Sequence, residues 1–321
     1  MKFLAVLLLA LSALLAQAAR ADGDALSWLQ RIHLATQTLS YTGTFVYRSG
    51  DQAETSRIVH SVGSHGIRER LETLDGHPRE IVRSGDEVKC YLPDSKTIKV
   101  DKQTDHKVFP ALLPENLQDI SEHYEVTKGG VERVAGYECQ MIVLQPKDKL
   151  RYGHRFWVDA NTGMLLKSQT FNDKNEPIEQ FFFTKVHIGG KIDHHELTPR
   201  FLAQSRAWHV ENSGAVSTNL EALGWAIKPE LPGFKKVTEM MRTQGGSSDV
   251  GHVIYSDGLA AVSVFIEPMA NKTSMPPAGL SRQGAINIYS RQVAGHLVTV
   301  VGEAPAESVK QLAEAVEYHK P

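Results

Sequence analysis

The sequence predicts an α+β chain in which a large, curved antiparallel half-barrel with a helical plug precedes a smaller α+β domain. Three observations support this fold class. Apolar residues recur at helical spacing between Ala25 and Leu39, and from Tyr41 to Tyr47 the pattern changes to a two-residue alternation. Strand-like segments then follow one another, with helical patterns only at the start and in the middle of the region. An ordinary core helix on an α+β sheet is the alternative interpretation of the first helix.

The first 21 residues have the pattern of a secretory signal peptide. Lys2 supplies a positive start, residues 3–15 form an apolar run, and Ala19-Arg20-Ala21 offers small residues for cleavage, with cleavage after Ala18 as the alternative. The apolar run is too short to cross a membrane as a helix. We therefore expect a soluble, exported protein that loses this segment.

Composition argues against a nucleic-acid partner and suggests a crosslink. The chain has 35 Lys and Arg against 37 Asp and Glu, and loss of Lys2 and Arg20 leaves a formal net charge of -4. A non-specific polyanion binder needs a basic surplus, which is missing here. Cys90 and Cys139 are the only cysteines. In an oxidising compartment such a pair favours a disulfide over two free thiols, so we expect a Cys90–Cys139 bond.

Turn signals divide the remaining chain into two domains. Asp75-Gly76 and Asp159–Gly163 lie between strand-like segments of the first region and mark hairpins. Gly189-Gly190 and the polar stretch after it mark a boundary. A second region follows with hairpins across Asp257-Gly258 and Ala294-Gly295 and a final helix. We assign residues 22–200 to the half-barrel, 201–212 to a linker and 213–321 to the smaller domain.

The sequence contains no recognisable catalytic or metal-binding motif. Its fourteen histidines form no His-Glu-x-x-His pair, and no Gly-x-Ser-x-Gly elbow occurs. Gly245–Ser248 lacks the lysine that a phosphate-binding loop needs. We therefore expect a protein that is not an enzyme and that carries neither a metal nor another cofactor.

The remaining candidate for a functional feature is the apolar inner face of the curved sheet. Half of the side chains on a curved sheet face inward, where aromatic residues either fill a dry core or line a cavity for acyl chains. Gly43 in a strand interior leaves room for another group to approach the backbone. The aromatic candidates for this inward face are Trp28, Phe45, Tyr47, Tyr91, Phe156, Phe181 and Phe183.

Several segments resemble the MucB/RseB family of periplasmic sigma-E regulators. Each segment is short, but their order and spacing extend over nearly all of the mature chain. One departure from the family pattern is the single proline in Leu231-Pro232-Gly233, where Pro-Pro is common. The segments are Tyr41–Tyr47, Arg68–Leu71, Arg151–Gly153, Asp159–Ser168, Leu231–Phe234, Tyr255–Ala260, Ser263–Pro268 and Val298–Glu303.

This resemblance implies a first domain similar to the Lol-type lipoprotein carriers and a role in the envelope stress response. Family members bind the periplasmic part of a transmembrane anti-sigma factor and protect it from proteolysis, and lipid or lipoprotein signals release them. We expect the first domain to take an acylated lipid or lipoprotein and the second to bind the anti-sigma factor. The hairpins Val253–Glu267 and Ala285–Gly302 offer edges to which an extended partner segment could add a strand.

Two other classes of function stay open at this point. A lipid or lipoprotein carrier without a regulatory role agrees with the half-barrel, but the second domain argues against it. A cell-envelope hydrolase is disfavoured because the sequence contains no catalytic motif. The oligomeric state is also open, and a homo-oligomer is among the partners that the sequence allows.

Overall fold

The computed structural model describes residues 25–64, 66–102, 117–212, 214–228, 231–243, 250–269 and 278–320. The predicted signal peptide, residues 1–21, lies outside this range. Within it, no helix combines the length and the apolar character that crossing a bilayer requires.

A twelve-stranded sheet forms the first domain and confirms the predicted curved antiparallel architecture. Its strands lie in the order β12-β6-β5-β4-β3-β2-β1-β11-β10-β9-β8-β7, and sequence neighbours pair as successive hairpins. The single parallel pair joins β12 to β6. The strands are β1 Tyr41–Ser49, β2 Gln52–Gly63, β3 Gly66–Thr73, β4 Glu80–Ser84, β5 Glu87–Leu92, β6 Thr97–Lys102, β7 Tyr124–Val134, β8 Tyr137–Pro146, β9 Gly153–Asp159, β10 Leu165–Phe171, β11 Pro177–Ile188 and β12 His209–Asn212.

The first helix, α1 (residues 25–38), packs its apolar stripe against one part of this sheet. Ala25, Leu29 and Ile32 are completely or almost completely buried, in one cluster with Phe156 and Leu165. A short second helix, α2 (Gln118–His123), joins the same cluster through its own buried residues. The predicted helical plug is therefore part of the first domain.

Gly43 has the role that its position in a strand interior predicts. The group that approaches its backbone is the ring of Phe183, on the neighbouring strand β11. A Cβ atom at position 43 would lie 2.6 Å from the Phe183 ring and 2.9 Å from the carbonyl oxygen of Lys185. The second of these contacts is with backbone, which cannot rotate away as a side chain can.

Gly43→Ala is therefore expected to reduce the free energy of unfolding by about 1–3 kcal/mol, the usual range for overpacking a core. Urea unfolding followed by circular dichroism measures this difference. Gly130→Ala is the matched control because a Cβ there meets nothing within 4 Å. Equal stabilities of the two variants would contradict the steric explanation.

The second domain is a seven-stranded sheet in the order β13-β15-β16-β17-β20-β19-β18, with a small pair β14-β21. Helix α3 (Ala306–Glu314) packs on this sheet through Val309, Leu312 and Ala313, which share a core with Val264 and Val300. Its strands are β13 Gly214–Ser217, β14 Trp225–Ile227, β15 Lys235–Thr243, β16 Val250–Ser256, β17 Ala261–Pro268, β18 Gly279–Gln283, β19 Ile286–Val293, β20 His296–Gly302 and β21 Val316–Tyr318.

Both predicted hairpins of the second domain form, as β16–β17 and β19–β20, but they do not provide its edges. β16, β17 and β20 are central strands, and β19 is covered by β18. Among the described strands, the edges are β13 and β18. The expectation that Val253–Glu267 and Ala285–Gly302 expose free edges was wrong because flanking strands pair with both hairpins.

The predicted linker is attached to the first domain. A short 3-10 helix, Gln204–Ala207, leads into β12, which pairs with β6 and so extends the first sheet. The carboxylate of Glu80, which is completely buried, accepts hydrogen bonds from the backbone N–H groups of Arg200 and Phe201, at 3.0 and 3.5 Å. The end of the first domain and the predicted linker are therefore attached to the first sheet.

The predicted disulfide is not formed, because Cys90 and Cys139 are both free thiols. Cys90 lies on β5 and Cys139 on β8, with seven other strands between them in the sheet. Burial raises the pKa of both thiols, and that of Cys139 to about 11, so both are protonated at neutral pH. Counting cysteines carried no information about the distance between the strands.

Candidate functional site

Four of the seven aromatic candidates lie together where β1 pairs with β11. Phe45 is opposite Phe183, and Tyr47 is opposite Phe181, so all four side chains share one face of the sheet. The ring centroid of Phe45 lies 4.8 Å from that of Phe181 and 5.9 Å from that of Phe183. Phe45, Phe181 and Phe183 are buried, whereas Tyr47 is only partly buried. Tyr47 is therefore the member of this group that reaches the surface.

Two further candidates lie under and on helix α1. Phe156 is on the same face as Phe181, because both residues pair with Ser168 of the strand between them. It packs in the cluster that contains the buried residues of α1, and Trp28 borders this cluster. The guanidinium carbon of Arg31 lies 4.2 Å from the centre of the Trp28 ring, which places a cation beside this exposed edge of the core.

Tyr91 was wrongly placed on the inward face. The strand pairs from β1 through β2, β3 and β4 to β5 contain no register shift. Following the paired residues across these strands places Cys90 on the same face of the sheet as Phe45. The adjacent residue Tyr91 must then point to the opposite face. There it pairs with Glu80, the residue that holds the backbone of Arg200. The sequence indicated that side chains alternate between the two faces along β5, but not which of the two sets faces inward.

A groove of about 920 Å³ opens beside Tyr47. Its lining carries polar side chains, among them the ion pair Arg79–Glu54 at 2.9 Å and the hydrogen-bonded pair His77–Asp94 at 2.9 Å, but more of its surface is apolar than polar. The groove is therefore an amphipathic space that borders the aromatic group at Tyr47. The complete lining is Tyr47, Ser49, Gln52, Ala53, Glu54, Asp75, Gly76, His77, Pro78, Arg79, Leu92, Asp94 and Ser95.

Arg151 joins the two domains through a buried ion pair. Its Nη1 donates to the carboxylate of Asp257 at 2.9 Å, and both side chains are 0% exposed. Its Nε donates to both carboxylate oxygens of Asp148 at 3.1 Å, and Nη2 donates to the carbonyl oxygen of Pro232. The hydroxyl of Tyr124 donates to Asp257 at 3.0 Å. We call these five residues the Arg151 cluster.

Aromatic groups and low solvent access surround the Arg151 cluster. The guanidinium carbon of Arg151 lies 5.6 Å from the ring centre of Tyr124 and 5.3 Å from that of Phe234. Burial and the nearby Asp257 carboxylate raise the pKa of Tyr124 well above its ordinary value. Burial lowers the pKa of neighbouring His154 to about 4, so this histidine is neutral at physiological pH. The ion pair is thus held in a dry environment between the domains.

The sequence did not predict the Arg151 cluster, although three of its residues lie in segments that the sequence analysis singled out. Arg151, Pro232 and Asp257 belong to three of the segments that carry the family resemblance, yet 106 positions separate Arg151 from Asp257. Pro232 and Asp257 also have local roles in turns, because Pro232 precedes Gly233 with a positive φ and the Asp257 carboxylate accepts from the backbone N–H groups of Leu259 and Ala260, so neither residue pointed to a distant partner. A buried arginine that needs a distant acid was the signal available. Across the described ranges, no group of three or more His, Cys, Asp or Glu side chains could hold a metal ion.

A curved sheet with a side groove, joined by a buried ion pair to a second domain, defines a two-domain protein whose first sheet carries a candidate ligand groove. The chain belongs to the MucB/RseB family. The family model of the MucB/RseB N-terminal domain matches residues 24–201, and that of the C-terminal domain matches residues 219–317.

Similar proteins cover almost the whole chain. The sigma factor AlgU regulatory protein MucB of Pseudomonas aeruginosa is 32% identical over 97% of this chain and 96% of its own length. The sigma-E factor regulatory protein RseB of Haemophilus influenzae is 25% identical, with the same coverage. The structure of the Pseudomonas aeruginosa MucA/MucB complex matches with a TM-score of 0.72 and 28% identity, over 93% of this chain and 100% of that one. MucB in complex with MucA(peri) matches with a TM-score of 0.70 over 92% of this chain and 99% of that one.

Proposed function

We propose that this protein is a periplasmic negative regulator of an envelope-stress sigma factor. It binds the periplasmic part of a transmembrane anti-sigma factor, protects it from proteolysis and has no catalytic activity of its own. The observation that carries the proposal is the match of both domains to MucB, a relative whose structure was solved together with MucA. A carrier that consisted only of the half-barrel would not account for the match to the second domain.

We further propose that the first domain senses an acylated lipid or lipoprotein. The supporting observation is the continuity between the groove and the aromatic group, because Tyr47 belongs to both. A headgroup would bond the polar side chains of the groove, and an acyl chain would enter among Phe45, Phe181 and Phe183 by displacing their rings. Each buried methylene would contribute about 0.8 kcal/mol, which offsets the separation of those aromatic contacts.

The second domain is the proposed binding surface for the anti-sigma factor. Its edge strands β13 and β18 carry exposed apolar side chains, with Val216 65% exposed and Leu280 55% exposed. An extended segment of the partner would add a strand to one of these edges through main-chain hydrogen bonds. The Arg151 cluster couples this surface to the lipid-sensing domain.

Binding to a peptide of the periplasmic anti-sigma segment tests this assignment by calorimetry with the full-length protein. Saturable binding is expected, and either Leu280→Asp or Val216→Asp should weaken it by at least about tenfold if its strand is the docking edge. Leu34→Asp, at a site 56% exposed on α1 of the first domain, is the control and should have no effect. Normal binding by both edge variants would contradict docking on the second domain, and no binding by the native protein would contradict the proposed function.

The lipid proposal is tested in the same titration. Because coupling between two sites is reciprocal, an acylated ligand must weaken partner binding by the factor by which the partner weakens ligand binding. A protein that takes up acylated ligand but never binds the anti-sigma segment would instead be a carrier without a regulatory role.

A further inference from the structure

The two domains meet at a second contact, separate from the Arg151 cluster. Ala285, immediately before β19, is buried together with Tyr152 and Ile178 of the first domain. Its backbone N–H donates to the hydroxyl oxygen of Ser49 at 3.3 Å. The side-chain amide of Asn287 donates to the Tyr152 hydroxyl at 2.9 Å and to the carbonyl oxygen of Ala304 at 2.8 Å. We call this region the Ala285 contact.

Two carboxyl groups, one from each domain, lie at the edge of the Ala285 contact. Glu179 of β11 pairs with Ser49, the residue whose hydroxyl accepts from the Ala285 N–H. Glu303 directly precedes Ala304, whose carbonyl accepts from Asn287, and its charge acts on both Glu179 and Tyr47. Tyr47 hydrogen-bonds Glu179, but the Oε2 atom of Glu179 is buried without a hydrogen-bond partner. Two ionised carboxylates in such a position would repel each other, and one of them would be incompletely solvated.

We propose that Glu179 and Glu303 form an acid-stabilised latch, which holds the Ala285 contact closed when the carboxyl pair is protonated and loosens it when both groups ionise. The latch is a property of the chain itself and does not depend on which partner or ligand the protein binds.

The titration of Glu179 agrees with this arrangement. Burial, and then the charge of Glu303, raise its pKa from 4.5 to about 7. The pKa of Glu303 is also raised, by burial, although part of that residue is exposed, so we assign the larger effect to Glu179. Other titratable and charged groups lie near the pair. The charges of both carboxylates act on Tyr47, and the charges of Arg282 and Asp173 act on Tyr152.

The sign of the pH dependence follows from these directions. Opening the contact restores water to Glu179 and returns its pKa toward 4.5, so the closed form binds the proton more tightly than the open form. The ratio of closed to open molecules should be constant below pH 4.5, fall by up to about tenfold per pH unit as the pH rises from 4.5 to 7, and level off above pH 7.

Hydrogen exchange at the Ala285 amide tests the latch in the intact protein, because this N–H bonds Ser49 of the other domain. After correction for intrinsic exchange, its protection should fall at least about tenfold between pH 5 and pH 7.5. The Val264 amide, in the core of the second domain, should keep its protection and so separates opening of the contact from unfolding of the domain.

Two isosteric variants decide whether the carboxyl pair is responsible. Glu179→Gln removes the titrating group, so it should keep Ala285 protected at pH 7.5. Glu303→Gln removes only the repulsion and leaves Glu179 buried, so it should reduce the loss of protection without abolishing it. Glu221→Gln, an exposed site in the second domain, should retain the pH dependence of the native protein. The proposal is overturned if the native protein shows equal protection at both pH values, if both latch variants remain pH-dependent, or if Val264 loses protection in parallel with Ala285.

Discussion

Replacing Arg151 with methionine is expected to lower the free energy of unfolding by about 3–5 kcal/mol, the range for breaking a buried ion pair by removing one partner. The loss is large because Asp257 is completely buried and would lose the guanidinium that pairs with it. Asp148 and the carbonyl oxygen of Pro232 would also lose a donor each. Chemical unfolding measures the loss, and hydrogen exchange on both sides of the junction shows whether the domains separate.

Arg133→Met is the matched control for this variant. Arg133 is exposed and bonds only the nearby carbonyl oxygen of Gly136 among the contacts described, so its loss should change stability by less than about 0.5 kcal/mol. Arg151→Met combined with Asp257→Asn should recover part of the lost stability, because the amide removes the buried charge while its oxygen still accepts from the N–H groups of Leu259 and Ala260. A loss below about 1 kcal/mol in the single variant would show that the ion pair does not hold the domains together.

The Arg151 cluster also illustrates how far the sequence could be interpreted. Helix α1 and the hairpin at Asp75-Gly76 were predictable because their signals are local, namely apolar spacing and turn residues. The meeting of Arg151 with Asp257 was not, because it depends on how two domains pack. Local patterns specify which face of an element is apolar, but they do not specify which distant element covers that face.

The aromatic candidates show the same limit within a single sheet. Phe45 and Phe183 were assigned to one face, and the register of β1 with β11 places them there. Tyr91 was assigned to that face as well, yet the registers put it opposite, because an edge region of a sheet can be covered on either side. The segment that covers this face includes Arg200 and Phe201, whose backbone N–H groups bond Glu80, the pairing partner of Tyr91. The alternation of β5 does not indicate that another segment packs there.

That covering segment is held by a network of charges around Glu80. Arg70 donates from Nε to Glu80 and from Nη2 to Glu72 at 2.8 Å, and its Nη1 donates to the carbonyl oxygen of Glu196. Arg200 adds a second cation on Glu72, at 2.8 Å. Glu80 itself is 0% exposed, so its charge is solvated only by these donors and by the backbone N–H groups of residues 200 and 201. The start of the linker is therefore attached to the first sheet through one buried carboxylate.

Glu80→Gln should accordingly destabilise the protein by about 3 kcal/mol and release this segment from the sheet. The amide keeps the shape of the carboxylate but not its charge, which weakens the bond from Arg70. If the amide oxygen keeps the bonds from Arg70 and the Arg200 N–H, its NH2 group faces the Phe201 N–H, so that hydrogen bond is lost. Hydrogen exchange at the Arg200 and Phe201 amides should rise well beyond the change at β1, and denaturant unfolding measures the free energy. Glu125→Gln, at an exposed position of β7, is the control and should alter neither quantity. If the Glu80 variant retains native protection at both amides, the segment is held by the packing of its side chains and not by the buried charge.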